Sequence, residues 1–276
     1  MMTPPRSIAL LAGVRNSGNR ELLQELAAKL SAAGVDVCEY DREASVQPDM
    51  LLCLGGDGTM LAAAARAAKQ GMILGGINTG HLGFLSACSR KDVETFIEAL
   101  VSGNYIVEER AMLQASQSGL EECYPHPLLA LNEVCLMRAR TGKMIDVDVE
   151  LDGCLLNRYH ADGVLVATPT GSTAYSLSAG GPLMWPDAGV MSLTPICPHS
   201  LTSRPVVVAD NVRITLRPRA RRGRVEESII YSVDGRSAHT INVNDTLTIS
   251  RADVNLRLLA LPGNDYAARL RAKLGW

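Results

Sequence analysis

The chain has 276 residues, of which 47% are hydrophobic and 20% charged, and a formal net charge of −2 at pH 7. That length buries a large core and suits one large domain or two smaller ones. The near-neutral charge offers no general attraction to nucleic acid or an anionic membrane, and two Trp and two Phe make no stacking platform for single strands. Taken in chain order, Ile8–Val14 reads as a buried strand. Asn19–Ala33 follows as a helix, with Leu22, Leu23, Leu26, Ala27 and Leu30 on one stripe and Gly34 as its stop. Strands are expected at Val35–Tyr40, Met50–Leu54 and Met72–Ile77, and helices at Thr59–Lys69 and Lys91–Val101. Strands alternating with helices imply parallel βαβ units, whose ligands sit beyond the carboxyl ends of the strands.

After about residue 105 the pattern changes. Tyr105–Gln114, Leu128–Met137, Ile145–Leu151, Val164–Ala167, Val190–Ile196, Pro205–Val208, Val212–Leu216, Ser228–Val233, Leu247–Ser250 and Leu256–Leu261 read as short strands. Asp152-Gly153 and Asp234-Gly235 are hairpin turn signals. Asn264–Leu274 closes the chain as a helix, with Tyr266, Leu270 and Leu274 at helical spacing. The expected fold is an α/β N-terminal domain (a Rossmann-like parallel sheet) over 1–104 and an all-β, sandwich-like C-terminal domain over 105–262. Residues 263–276 form a helix expected to pack back on the first domain. Seven scattered cysteines without a CxxC pair suggest neither a zinc site nor a disulfide framework, and the expected metal-ligand set is none. No apolar run reaches the ~18 residues of a transmembrane helix, so no membrane association and a cytoplasmic location are expected.

Two glycine-rich segments stand out. The first is Gly55-Gly56-Asp57-Gly58-Thr59, directly after the apolar run Met50–Leu54. Glycine lets backbone N–H groups approach a phosphate, and a helix opening there adds partial positive charge. The side chain among the glycines is a carboxylate, Asp57, which repels phosphate unless it holds a metal or takes a proton. A tight turn capped by Asp57 is the plainer reading; phosphoryl transfer, with an aspartate orienting and deprotonating a hydroxyl, is the sharper one. The second segment is Asp162-Gly163, then Thr168-Pro169-Thr170-Gly171-Ser172-Thr173-Ala174-Tyr175-Ser176-Leu177-Ser178-Ala179-Gly180-Gly181-Pro182. It is either a flexible loop or a surface moulded to a ligand. Between them Asn132-Glu133 interrupts an apolar run, where polar groups are costly unless satisfied. A bulge or strand end with solvated side chains is the alternative. No G-x-G-x-x-G follows the first strand, which disfavours a dinucleotide-dependent dehydrogenase. The basic stretch Arg217–Arg224 reads as a solvated hairpin loop.

In this order the GGDGT loop, the Asn-Glu pair and the DG…TPTGSTAY…GG segment resemble the NAD kinase family. Gly76–Leu85 and the ending Lys273–Trp276 look like its bacterial members, which use ATP or polyphosphate as donor. The resemblance runs from about residue 50 to the end. It implies transfer of the γ-phosphoryl of ATP to the 2′-hydroxyl of the adenosine ribose of NAD, giving NADP. It makes 1–104 the nucleotide- and phosphate-binding domain and 105–262 the NAD-binding domain. Asp57 becomes the catalytic base, and Gly55, Gly56, Gly58 and Thr59 cradle the donor triphosphate. Mg²⁺ comes with ATP, and no tightly bound organic cofactor is expected. Asn132 and Glu133 hold the adenosine half; Thr170, Thr173, Ala174 and Tyr175 form the adenine pocket. Asp162 and Ser178 lie toward the nicotinamide carboxamide. Phe84 packs on a base or is an ordinary core aromatic. His160 lies near the nicotinamide end or is a surface histidine. The partners implied are NAD, ATP and a second copy of the chain, as homodimer or homotetramer, with no nucleic acid and no membrane. Two other classes share part of the pattern: a lipid kinase of the diacylglycerol-kinase type, which has GGDGT without the second segment, and a non-catalytic dinucleotide-binding protein.

Overall fold

The structure, a computed structural model, describes residues 2–13, 18–41, 47–80, 83–119, 127–139, 143–219, 229–243 and 245–276. They form two compact units: Met1–Glu109 with Leu256–Trp276, and Arg110–Asn255. The first unit is α/β and the second is built of antiparallel β-sheet.

In the first unit the described strands make one sheet in the order Asp36–Glu39, Ser7–Ala12, Met50–Leu54, Ile73–Asn78, Leu256–Ala260, Ile106–Arg110, with Cys88–Ser89 also paired to Ile73–Asn78. The first five run parallel to one another. Met50–Leu54 and Ile73–Asn78 are buried at every position. That is why they read as unbroken apolar runs: a parallel strand is covered on both faces. Helix Asp57–Gln70 lies so close to the sheet that a Cβ on Gly76 would strike Met60. Helices Gly18–Ala32 and Val93–Ser102 add Leu22, Leu26, Leu30, Phe96 and Leu100 to the core with Leu10, Leu52 and Leu54. Helices Asp57–Gln70 and Val93–Ser102 stop at Gly71 and Gly103, whose φ values of +68° and +71° let their N–H groups turn back to the last carbonyls.

The second unit holds two six-stranded sheets among the described residues. One runs Cys154–Ala161, Ile145–Leu151, Ile214–Arg219, Leu247–Arg251, Leu113–Gln117, Leu128–Ala130. The other runs Val206–Ala209, Val190–Ile196, Gly163–Ala167, Glu133–Arg138, Ile229–Val233, Arg236–Ile241. Val147, Leu216 and Ile249 of the first share one core with Val134, Val164, Leu193 and Tyr231 of the second, so the sheets pack face to face. The second sheet buries its other face as well, in a small cluster of Cys135, Leu165, Ala167 and Ile196, against which Ala179 packs. Both hairpin turns form where expected, with Asp152 at φ 49° and Asp234 at φ 51°, each followed by a glycine at positive φ.

Two expected strands behave differently. Tyr105–Gln114 is two strands, not one: Ile106–Arg110 joins the first unit, and Leu113–Gln117 pairs with Leu247–Arg251 in the second. The chain changes unit at Arg110, so no single sheet can take the whole run. Leu256–Ala260, read as part of the β-rich region, lies in the first unit parallel to Ile73–Leu74. It is buried at four of five positions, which suits a strand covered on both faces better than a half-solvated one. Of the basic stretch, Arg217 pairs with Glu150 and Arg219 with Asp148, while residues 220–224 lie outside the described set.

Candidate functional site

Strand Met50–Leu54 delivers Gly55 and Gly56 to its carboxyl end, and the helix begins at once with Asp57 as its first residue. Gly56 is the N-cap, and no side chain caps the helix. Asp57 is therefore not a cap. Its carboxylate turns instead to a loop 27 and 28 residues on: Oδ2 accepts from the Phe84 N–H at 2.9 Å and Oδ1 from the Leu85 N–H at 3.2 Å. Gly83 is needed beside them, because a Cβ there would collide with the Asp57 carboxylate. Each carboxylate oxygen keeps a further lone pair for another donor. A Cβ on Gly56 or Gly58 would meet nothing within 4 Å, so both backbones are open to a ligand. Thr59 turns inward, its Oγ1 lying where Cβ atoms on Gly13 and Gly55 would sit. Buried Asn19 ties this end of the sheet together by donating to the carbonyls of Gly13 and Leu54.

In the second unit Asn132 and Glu133 sit where the segment Leu131–Glu133 meets strand Glu133–Arg138, and both are buried. The Asp234 carboxylate holds this bend: Oδ2 accepts from Leu131 N at 2.9 Å, and Oδ1 from Asn132 N at 2.7 Å and Glu133 N at 3.1 Å. Thr168 locks the glycine-rich segment to the same bend, donating its hydroxyl to the Leu131 carbonyl and its N–H to the Asn132 carbonyl. Gly171 packs so tightly that a Cβ would run into the Asn132 backbone. Burial, with the Asp234 charge adding to it, pushes the Glu133 carboxyl up to about 7, and its Oε2 has no hydrogen-bond partner. The Oγ1 of Thr170 is likewise buried without a partner. Two unsatisfied acceptors beside one bend are suited to the hydroxyls and amines of a polar ligand.

The remaining expected residues fall as follows. Thr170–Thr173 forms a short 3₁₀ turn and Tyr175–Ser178 a single helical turn. Thr173 donates its hydroxyl to the Thr170 carbonyl, Ala174 is half-buried, and Tyr175 and Ser178 are exposed. Burial raises the Tyr175 phenol above its ordinary range. Asp162 is clasped by Arg138, with Nε to Oδ1 at 2.8 Å and Nη2 to Oδ2 at 2.9 Å. His160 shares a 2.7 Å contact with Asp146, and its ring lies 5.7 Å from that of His199. The fold thus brings Asn132, Glu133 and Thr170–Ser178 to one end of the two central strands of the second sheet, Glu133–Arg138 and Gly163–Ala167, and Asp57, Phe84 and the GGDGT backbone together in the first unit. His81 and Leu82 lie outside the described residues. Sequence reasoning missed three supports: Asp234, read only as a turn residue; Thr168, whose hydroxyl bridges two loops; and Arg138, the partner of Asp162. An Asp-Gly turn whose carboxylate is spare was the available signal for the first.

The comparisons with known proteins cover both units. The family model for the ATP-NAD kinase N-terminal domain matches residues 16–105, and that for the ATP-NAD kinase C-terminal domain matches 131–261. An NAD kinase of Flavobacterium johnsoniae is 39% identical over 83% of this chain and 76% of its own. One of Symbiobacterium thermophilum is 41% identical over 82% of this chain and 78% of its own. A crystal structure of an NAD kinase from Archaeoglobus fulgidus in complex with ATP is 26% identical, with a TM-score of 0.78 over 98% of both chains. A yeast NADH kinase complexed with NADH is 24% identical and shares the fold, at a TM-score of 0.87 over 99% of this chain and 88% of its own. With matches to both domains and a GGDGT loop whose aspartate faces away from its own helix, this chain belongs to the ATP-NAD kinase family.

Proposed function

We infer that the chain is an ATP-dependent NAD kinase. Relatives bearing that name match 82–86% of its length, and the lipid-kinase and binding-protein alternatives are not favoured. The reaction proposed is attack of the adenosine ribose 2′-hydroxyl oxygen of NAD on the γ-phosphorus of ATP. The new O–P bond forms as the bond to the bridging oxygen breaks, so ADP leaves and NADP is formed. Asp57 would orient the attacking hydroxyl and accept its proton. The observation that carries this is the direction of its carboxylate: it is fixed by two backbone N–H bonds at the carboxyl end of a buried strand, with lone pairs left over.

Gly56 and Gly58 would let the triphosphate approach the backbone, with Gly55 and Thr59 shaping the turn beneath. Mg²⁺ would travel with ATP and neutralise charge on its phosphates. Among the described residues no group of three His, Cys, Asp or Glu is arranged to hold an ion, and Mg²⁺ kept by phosphate oxygens and water needs at most one or two carboxylates. Asn132, Glu133 and the Thr170–Tyr175 segment would hold the adenosine half of NAD, the Glu133 carboxyl facing a ribose diol. Asp162, Ser178 and His160 would lie toward the nicotinamide end, and Phe84 against a base. The first unit would serve the phosphates and the second the dinucleotide. A cytoplasmic homodimer or homotetramer belongs to the same proposal, on the strength of the family resemblance. Among the described residues no helix is long and apolar enough to cross a membrane.

The test is direct assay of NADP from the purified chain and its Asp57→Asn variant with ATP, Mg²⁺ and NAD. The parent should turn over, and the variant should lose about 10²- to 10⁴-fold in kcat while still binding NAD. A variant that keeps its rate would remove Asp57 from the chemistry. A parent inactive with both ATP and polyphosphate would remove the kinase reading itself.

A further inference from the structure

The carbonyl oxygen of Phe84 and the N–H of Leu85 belong to one peptide group. The N–H donates to Asp57 Oδ1 at 3.2 Å. The carbonyl accepts from Arg269 Nη1 at 2.9 Å. The two ends of a trans peptide point in opposite directions, so the guanidinium and the carboxylate lie on either side of it in a continuous hydrogen-bonded chain. Arg269 sits in the last helix, Tyr266–Leu274, far in sequence from the glycine loop. Three residues earlier on the same helix face, the Tyr266 ring lies 6.3 Å from that of Phe84 at 52°. The helix thus grips both the side chain and the carbonyl of Phe84. Its start is fixed by Asp265, which accepts from Ala267 N–H, and Leu270 anchors it in the first unit.

We propose that Arg269 is a positioning residue for phosphoryl transfer, acting on Asp57 through the Phe84–Leu85 peptide. This rests on Asp57 being the group that receives the hydroxyl proton. Two effects combine. A cation on the carbonyl polarises the peptide and strengthens its N–H as a donor, as linked hydrogen bonds reinforce one another. A fixed carbonyl also fixes the peptide plane, and with it the angle at which Asp57 is held. A charge-assisted bond from a planar guanidinium does this better than a neutral donor. Among the described residues the carboxylate is oriented by the Phe84 and Leu85 N–H groups, and the first of these neighbours the peptide that Arg269 holds. Displacing that peptide would disturb both bonds together.

The experiment compares the full chain with Arg269→Met and Arg269→Lys, each made also with Asp57→Asn, by steady-state kinetics and thermal unfolding. The Met variant should lose about 10- to 100-fold in kcat with KM for ATP and NAD changed less than about threefold, because the ground state is bound as before and only the aim of the base is lost. The Lys variant, keeping a charged donor, should recover most of that. On the Asp57→Asn background Arg269→Met should change the residual rate by less than about twofold, since no carboxylate is left to aim. The proposal is overturned by wild-type kcat in a folded Met variant, or by the same fold-loss on both backgrounds, which is what a merely structural role gives. If the Met variant does not fold, Arg269→Gln, with a neutral donor of similar reach, takes its place, and wild-type kcat in that variant overturns the proposal equally. If Asp57→Asn alone keeps the rate, the reading of Asp57 falls, and that outcome is distinct from a failure of Arg269.

Discussion

The two glycine-rich regions use carboxylates in opposite ways. In the first unit, backbone N–H groups of a distant loop come to Asp57, and the carboxylate they orient is the one proposed to act. In the second, backbone N–H groups of Leu131, Asn132 and Glu133 come to Asp234, and the carboxylate beside them, Glu133, is left buried with an oxygen unpartnered. Burial raises the Asp234 carboxyl as well, but its three backbone N–H bonds pull against that rise, whereas Glu133, with an oxygen that no donor reaches, is pushed up to about 7. Reading chemistry from a carboxylate therefore requires knowing who donates to it, which residue type and motif alone do not say.

Three measurements would break or sharpen that contrast. The largest effect is expected from Asp234→Ala, which removes the acceptor of three backbone N–H groups: about 4 kcal/mol of stability in urea unfolding, with weakened NAD binding. A loss below about 1 kcal/mol would show that water serves the bend as well as the carboxylate does. Next is Glu133→Gln. Folded, Glu133 keeps its proton up to about 7, whereas its ordinary value is 4.5. Between those values the folded state holds the extra proton, so this residue makes stability fall as pH rises. The Gln variant lacks that slope, and at pH 8 it should be more stable than the parent by about 3 kcal/mol. Parallel pH profiles for the two proteins would mean that Glu133 is solvated after all. The smallest is Gly58→Ala at the second position of helix Asp57–Gln70, where a Cβ meets nothing within 4 Å. It should gain about 0.5 kcal/mol in stability, because Ala is the better helix former, and yet raise KM for ATP. Unchanged ATP kinetics would mean that no phosphate approaches that backbone.

Much of the fold was legible because burial on both faces writes itself as continuous apolar sequence. Met50–Leu54 and Met72–Ile77 were readable for that reason, and Asp152-Gly153 and Asp234-Gly235 for their turn chemistry. The strands following those turns were not. Cys154–Ala161 is a sheet edge exposed at its first five positions and shows no inside-outside alternation. Leu256–Ala260 reads as a strand but carries no sign of which sheet receives it. At the candidate site, the motifs pointed to Asp57, Asn132 and Glu133 as candidates. Asp234, Arg138 and Arg269 escaped notice because each acts through a bond spanning 24 residues or more, and no local pattern encodes such a partner.

The second unit is inserted between two strands of the first, Ile106–Arg110 and Leu256–Ala260, which are neighbours in one sheet. On the ribosome the first hundred residues emerge lacking an inner strand and the closing helix. The inserted unit can fold as soon as its own strands are out, drawing together the ends that the first sheet needs and shortening the loop that must be closed. The glycine loop appears early in synthesis, and the helix that holds Phe84 much later. A nascent chain would therefore carry both glycine-rich segments before the helix that grips the loop beside Asp57 has been made.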